Sequence, residues 1–134
     1  MSFSYAIAPI LCWLVAGFVK FLVNSIKAKQ LAFNLIGYGG LPSNHTAIVT
    51  GMAALIGFNE GVSNSAFGLA ITLAFIVILD ASSLRKQIGM HAEIINEITK
   101  SQELRERMGH SPTEIIAGVI VGVAVATFEH IIFN

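Results

Sequence analysis

Residues 65–83 read SAFGLAITLAFIVILDASS, a run whose sole formal charge, Asp80, stands near its end. A helix needs about 17–25 apolar residues to cross the ~30 Å hydrocarbon of a bilayer, because each residue advances it by only about 1.5 Å. This run is long enough and apolar enough to do so. Working outward, Tyr5–Asn24, Pro42–Phe58 and Thr113–Phe133 repeat the pattern. The whole chain of 134 residues is 54% hydrophobic and 12% charged, with a mean hydropathy of +0.74, far from a soluble domain. The expectation is all-α: a polytopic membrane helical bundle of about four transmembrane helices, forming a single domain over residues 1–134. No basic residue precedes Lys20, so the first run lacks the basic flank of a cleaved signal and is expected to be retained. The lone Cys12 has no partner within the chain. A formal net charge of zero gives no argument for nucleic acid.

Charge placement orients the bundle. Lys27 and Lys29 follow the first run, and Lys86, Lys100, Arg105 and Arg107 separate the third from the fourth, whereas the short link 59–64 holds one acid and no base. The positive-inside rule then puts both basic loops in the cytoplasm and both termini on the opposite side. The segment 86–109, KQIGMHAEIINEITKSQELRERMG, is dense in charge and free of proline. It reads as a cytoplasmic amphipathic helical segment, with Ile88, His91, Ile94, Ile95, Ile98 and Gln102 recurring on one face.

With that topology, Lys20, Ser43, His45, Arg85, His110 and Glu114 all fall at the cytoplasmic ends of the four runs. Ionisable residues beside hydrocarbon are costly and mark working sites. Lys20 and Arg85 supply positive charge, and Arg matches phosphate oxygens with a planar fork. Pro42 and Ser43 open the second helix, whose first-turn N–H groups favour an anion. Gly39 and Gly40, without Cβ atoms, let backbone approach it closely. Two histidines beside such a trap suit phosphoryl transfer, one attacking phosphorus and one protonating the leaving oxygen, with a carboxylate orienting the first ring.

Pro42-Ser43-Asn44-His45, preceded by Gly39-Gly40, resembles the PSGH signature of the type-2 phosphatidic acid phosphatase superfamily. His110-Ser111-Pro112-Thr113-Glu114 resembles the His-xxx-acid half of its SRxxxxxHxxxD signature, and Lys20 with Lys27 echoes KxxxxxxRP. The chain is most similar to the divergent branch described as acid phosphatase/vanadium-dependent haloperoxidase-related proteins. Asn44 stands for glycine, Lys27-Ala28 for Arg-Pro, and Leu84 for the serine before Arg85; Arg85 and His110 are much further apart than in the superfamily. A second register would place His91 six residues after Arg85, but Ile95 then occupies the position of the acid.

The resemblance implies an integral-membrane lipid phosphatase of a bacterial or organellar inner membrane. It removes a terminal phosphate from a lipid such as phosphatidylglycerophosphate, phosphatidate or an isoprenyl phosphate, without metal or cofactor. His110 would be the nucleophile, Glu114 its orienting acid and His45 the proton donor, while Lys20, Ser43, Arg85 and Gly40 grip the phosphate. Two other readings remain: a small membrane transporter or assembly factor, and a metal-dependent hydrolase with His45, His91, His110 and Glu114 as ligands. Partners are expected to be the lipid substrate, membrane lipids and further copies of the chain. Gly118 and Gly122, with Ala47 and Gly51, have the small-xxx-small spacing that lets helices meet closely, and a homodimer or larger homo-oligomer is expected through those faces.

Overall fold

The computed structural model describes residues 4–31 and 40–133. Among these the chain is helical without strands: α1 (Ser4–Ala28), α2 (Asn44–Glu60), α3 (Ser65–Leu79), a π-helical turn (Asp80–Leu84), α4 (Arg85–Thr99) and α5 (Pro112–Phe133). Three stretches are long and apolar enough to cross a membrane: Tyr5–Ala28, Ser65–Thr99 (α3 running through the π turn into α4) and Pro112–Phe133. The second expected span corresponds to α2, which has 17 residues.

α2 is the central element, packed against α1, α3 and α5. Its start is set by Ser43, whose hydroxyl accepts from Thr46 N at 3.3 Å and from the Thr46 hydroxyl at 2.9 Å, satisfying a first-turn donor. The faces that meet are built from small residues. On α1, Ala8, Cys12 and Ala16 are buried at four-residue intervals. A Cβ on Gly118 would lie 2.6 Å from the Ser43 carbonyl, and one on Gly122 would lie 2.5 Å from the Ala47 carbonyl. Large side chains point the other way: Ile10, Trp13, Phe18, Leu69, Phe75 and Phe128 are all exposed. In water such an arrangement forfeits about 25 cal/mol for every Å² left uncovered. Lipid removes that penalty and leaves close van der Waals packing of small residues to hold helices together.

This arrangement corrects the expected interface. Gly118, Gly122, Ala47 and Gly51 are spent inside the chain, joining α5 to α2, so their spacing does not supply a surface for a second copy. A second correction concerns 86–109, which is helical only to Thr99. Lys100 adopts a left-handed conformation with φ 53°, and the chain then returns along α4. Asn96 holds it there, its Nδ2 donating to the Leu104 carbonyl and to Glu106 Oε1, both at 2.8 Å, while its Oδ1 accepts from Leu104 N at 3.2 Å. The buried face of α4 is therefore Gly89, Ala92 and Asn96, and the isoleucine face, expected to rest on the membrane surface or on a neighbouring helix, meets no neighbouring helix among the described residues and is exposed.

Candidate active site

The return along α4 ends at His110, and its last step is fixed by backbone. His110 N donates to the Ala81 carbonyl of the π turn at 3.0 Å. Gly109 makes the approach with φ 82°, and a Cβ there would lie 3.1 Å from that same carbonyl. The π turn also pairs Asp80 with Arg85. Residues five apart sit about 140° apart around a regular α-helix; the wider i→i+5 turn brings them into line. Arg85 Nε accordingly donates to Asp80 Oδ2 at 2.9 Å, leaving the two terminal guanidinium nitrogens as donors.

His110 Nδ1 lies 3.0 Å from Glu114 Oε2. The same carboxylate oxygen accepts from Ser111 N at 3.1 Å, and Glu114 N donates to the Ser111 hydroxyl at 3.3 Å. One residue thus closes a capping box on α5 and holds the imidazole. With a carboxylate on Nδ1, that nitrogen carries the hydrogen, and the lone pair resides on Nε2. Glu114 further joins the two halves of the site, since its carbonyl accepts from Ser43 N at 2.9 Å.

His110 opens on a cavity of about 220 Å³ whose wall includes His45, Lys20, Arg85 and Asn44. Lys20 arrives there by continuing the α1 row of Ala8, Cys12 and Ala16 by one more turn. Trp13 and Ile48 add an apolar portion of wall. Trp13 sits two turns before Lys20, about 10 Å along the helix axis, so the cavity runs from a cationic end toward the lipid-facing side of the bundle.

Of the residues singled out in the sequence, Lys20, His45, Arg85 and His110 share this wall, with Glu114 directly behind His110. Ser43 and Gly40 do not line it. Ser43 is fully buried as the cap of α2, and Gly40 is buried with φ 147° beside the Asn24 side chain. Gly39 lies outside the described residues. His91 is exposed on α4 and apart from the cavity, and no group of three or more His, Cys, Asp or Glu among the described residues could hold a metal ion. Three participants escaped the sequence reading. Arg105 and Arg107 line the cavity, although by sequence they only set loop charge. Asn44, in place of the motif glycine, turns to the cavity with Oδ1 buried and unpartnered. The one sequence signal for the arginines is their i, i+2 spacing just before Gly109-His110.

The profile of the divergent PAP2 family matches residues 2–125. The uncharacterized membrane protein YuiD of Bacillus subtilis is 26% identical over 126 residues, covering 78% of this chain and 80% of that protein. No solved structure matches the chain.

Proposed function

The chain belongs to the divergent PAP2 family, and from that premise we propose that it is an integral-membrane phosphatase that removes a terminal phosphate from a lipid phosphate through a phosphohistidine. The observation that carries this reading is His110, backed by Glu114 through Nδ1 and facing a cavity that also holds His45, Lys20 and Arg85. His110 Nε2 attacks phosphorus as the bond to the alkoxide breaks. His45, entering protonated, gives its proton to that oxygen. Water then attacks the phosphohistidine, His45 takes back a proton, and inorganic phosphate leaves with His110 restored. Negative charge spread over the equatorial oxygens of the transition state is met by Lys20 and the terminal nitrogens of Arg85, each such pre-aimed donor being worth about 3 kcal/mol. Gly40 and Ser43 shape the entry to α2, whose first-turn N–H groups add to the anion site.

In this reading the 17 residues of α2, about 26 Å at 1.5 Å each, form a fourth span sheathed by its neighbours. The site opens at the cytoplasmic face, on the side of Lys27, Lys29, Lys86 and Lys100, and both termini lie across the membrane. The whole chain is one catalytic unit, and further copies associate through surfaces other than the glycine faces. The test is phosphate release by purified protein from a panel of phosphatidate, phosphatidylglycerophosphate and isoprenyl phosphates in the presence of EDTA. Release that persists in EDTA is expected. Folded protein inactive on every member would overturn the reading, and activity abolished by EDTA would replace it with a metal-dependent one.

A further inference from the structure

Folding covers one side of α4, where the returning segment lies on Gly89, Ala92 and Asn96 and the Glu106 carbonyl presses against Gly89. About a third of a turn round the helix, Ile88, Ile95 and Ile98 are 45%, 46% and 75% exposed, and His91 between them is exposed as well. These residues do not lie in hydrocarbon. The continuous helix Ser65–Thr99 has 35 residues, about 52 Å at about 1.5 Å each, against a bilayer core of ~30 Å. With α3 across the membrane, residues 65–84 take up that thickness, and the excess of about 22 Å is the length of the 15 residues of α4. The same turns carry Lys86, Glu93, Glu97 and Lys100, all exposed, whose charges would be costly in lipid. An apolar stripe therefore stands beyond the hydrocarbon without cover from its own chain.

The spacing and chemistry of the stripe show what suits it. Ile88, His91, Ile95 and Ile98 follow one another at three, four and three residues, the repeat of a coiled-coil seam and narrower than the stripe of an ordinary surface helix. Gln87, Ala92, Ile94 and Thr99, which flank it, carry no charge, so two such stripes meet without like-charge repulsion. A helix that lies on lipid is instead rich in Lys and Arg on its polar face, with Trp, Phe and Leu opposite. α4 has no Trp, Phe or Leu, and its polar face mixes Glu93 and Glu97 with Lys86; its isoleucines are β-branched, as the inner positions of a coiled coil favour. The bilayer supplies the orientation. Two copies inserted with the same topology are related by an axis along the membrane normal, so their α4 helices run parallel and in register, as a seam between identical helices requires. A seam this short suffices because confinement in one membrane has already removed much of the orientational freedom lost on association.

We infer that α4 is the contact between copies of this chain: the stripe of Ile88, His91, Ile95 and Ile98 packs against the same stripe of a second copy, the two helices running parallel at the end of the bundle where the cavity opens. His91 occupies one layer of the seam beside its counterpart, a polar layer that fixes the register. The contact gives the association of copies read above a surface. It rests on the reading that α3 crosses the membrane and not on the phosphatase chemistry.

Disulfide crosslinking of the full chain in native membranes tests the contact, with little background because Cys12 is fully buried in α1. Single cysteines are introduced on the stripe, as Ile95→Cys or Ile98→Cys, and on the exposed polar face, as Glu93→Cys or Glu97→Cys. A disulfide forms only where Cβ atoms come within about 4 Å, so under mild oxidation the stripe variants should link pairs of chains about tenfold or more faster than the polar-face variants. Adding Ile88→Glu and Ile95→Glu to Ile98→Cys should bring its rate down to theirs, and because both isoleucines are exposed in the single chain, helicity should be unchanged. Equal rates on the two faces overturn the contact, as does a stripe that forms no linked pairs. Quenching by brominated lipid of a fluorophore carried on Ile95→Cys would also overturn it, giving the stripe to the membrane surface. Hydrolysis of lipid phosphates by the same membranes is read separately: its absence from protein that crosslinks through the stripe would count against the phosphatase and leave the contact standing, and its presence without crosslinks would do the reverse.

Discussion

His110 and His45 sit in one cavity, yet among the described residues it is His110 that has a carboxylate within hydrogen-bond distance. The proposed division of roles rests on that asymmetry. An imidazole held through Nδ1 suits the proposed nucleophile; one that shares the cavity wall with Arg85, Lys20 and His110 suits the proposed proton donor. His110→Ala should lower kcat by about 10³-fold or more, as loss of a nucleophile does, while the variant keeps its helicity and elution as folded protein. His45→Ala should impair lipid phosphates with alkoxide leaving groups far more than an aryl phosphate, whose leaving oxygen needs no proton. A leaving-group series with equal losses across it would remove the acid role from His45. The two histidine motifs were legible because each is local, compact and rich in turn chemistry. Arg105 and Arg107 were not, because their relation to the cavity depends on the chain doubling back along α4, a fact that no spacing in residues 100–110 encodes.

At the scale of elements, four apolar runs gave four helices with ends displaced by a few residues, as expected where periodicity and composition agree. The amphipathic segment is helical over its first part, to Thr99. Its isoleucine pattern is helical, but the partner face is Gly89, Ala92 and Asn96, residues whose smallness or polarity hides them from a hydrophobic pattern. Asn96 holds the returning chain by offering its side chain to Leu104 and Glu106. The glycine spacing on α5 reads as a close-packing signal within or between chains, and the structure uses it within the chain, against α2. Its use within the chain gives a test. At Gly118 a Cβ would meet the Ser43 carbonyl and Thr46 Cβ at 2.6 and 2.8 Å, and Ser43 cannot retreat without releasing its bond to the Glu114 carbonyl. Gly118→Ala should therefore cost about 1–3 kcal/mol of stability by overpacking and lower activity by shifting Glu114 from His110. Gly68, on α3, has nothing within 4 Å of its Cβ position, so Gly68→Ala should stabilise by about 0.5–1 kcal/mol through helix propensity. Thermal unfolding in detergent with parallel assays compares the two; equal and small effects would mean that α5 and α2 do not meet at Gly118.

The molecule as a whole has two polar ends, and their separation makes its orientation testable. One end holds the cavity, where α2 and α5 begin and where α3 meets the π turn. The other gathers Asn59 and His130, joined at 2.6 Å, next to the link 61–64 that connects α2 to α3. If α2 spans the membrane, Ser63 in that link and Lys100 at the tip of α4 lie on opposite sides; if α2 stays on one side, they lie together. Both are exposed, and the native Cys12 is fully buried in α1, so an impermeant maleimide has little background. Ser63→Cys should be labelled on intact bacterial cells producing the protein, and Lys100→Cys only after the membrane is opened. The positive-inside bias demands this sense, because the lysines and arginines cluster at the cavity end while the link 61–64 has none. Labelling of both sites from outside would reduce α2 to a helix that does not cross. The reverse pattern would keep four spans and move the site to the outer face, where it would meet lipid phosphates of the other leaflet.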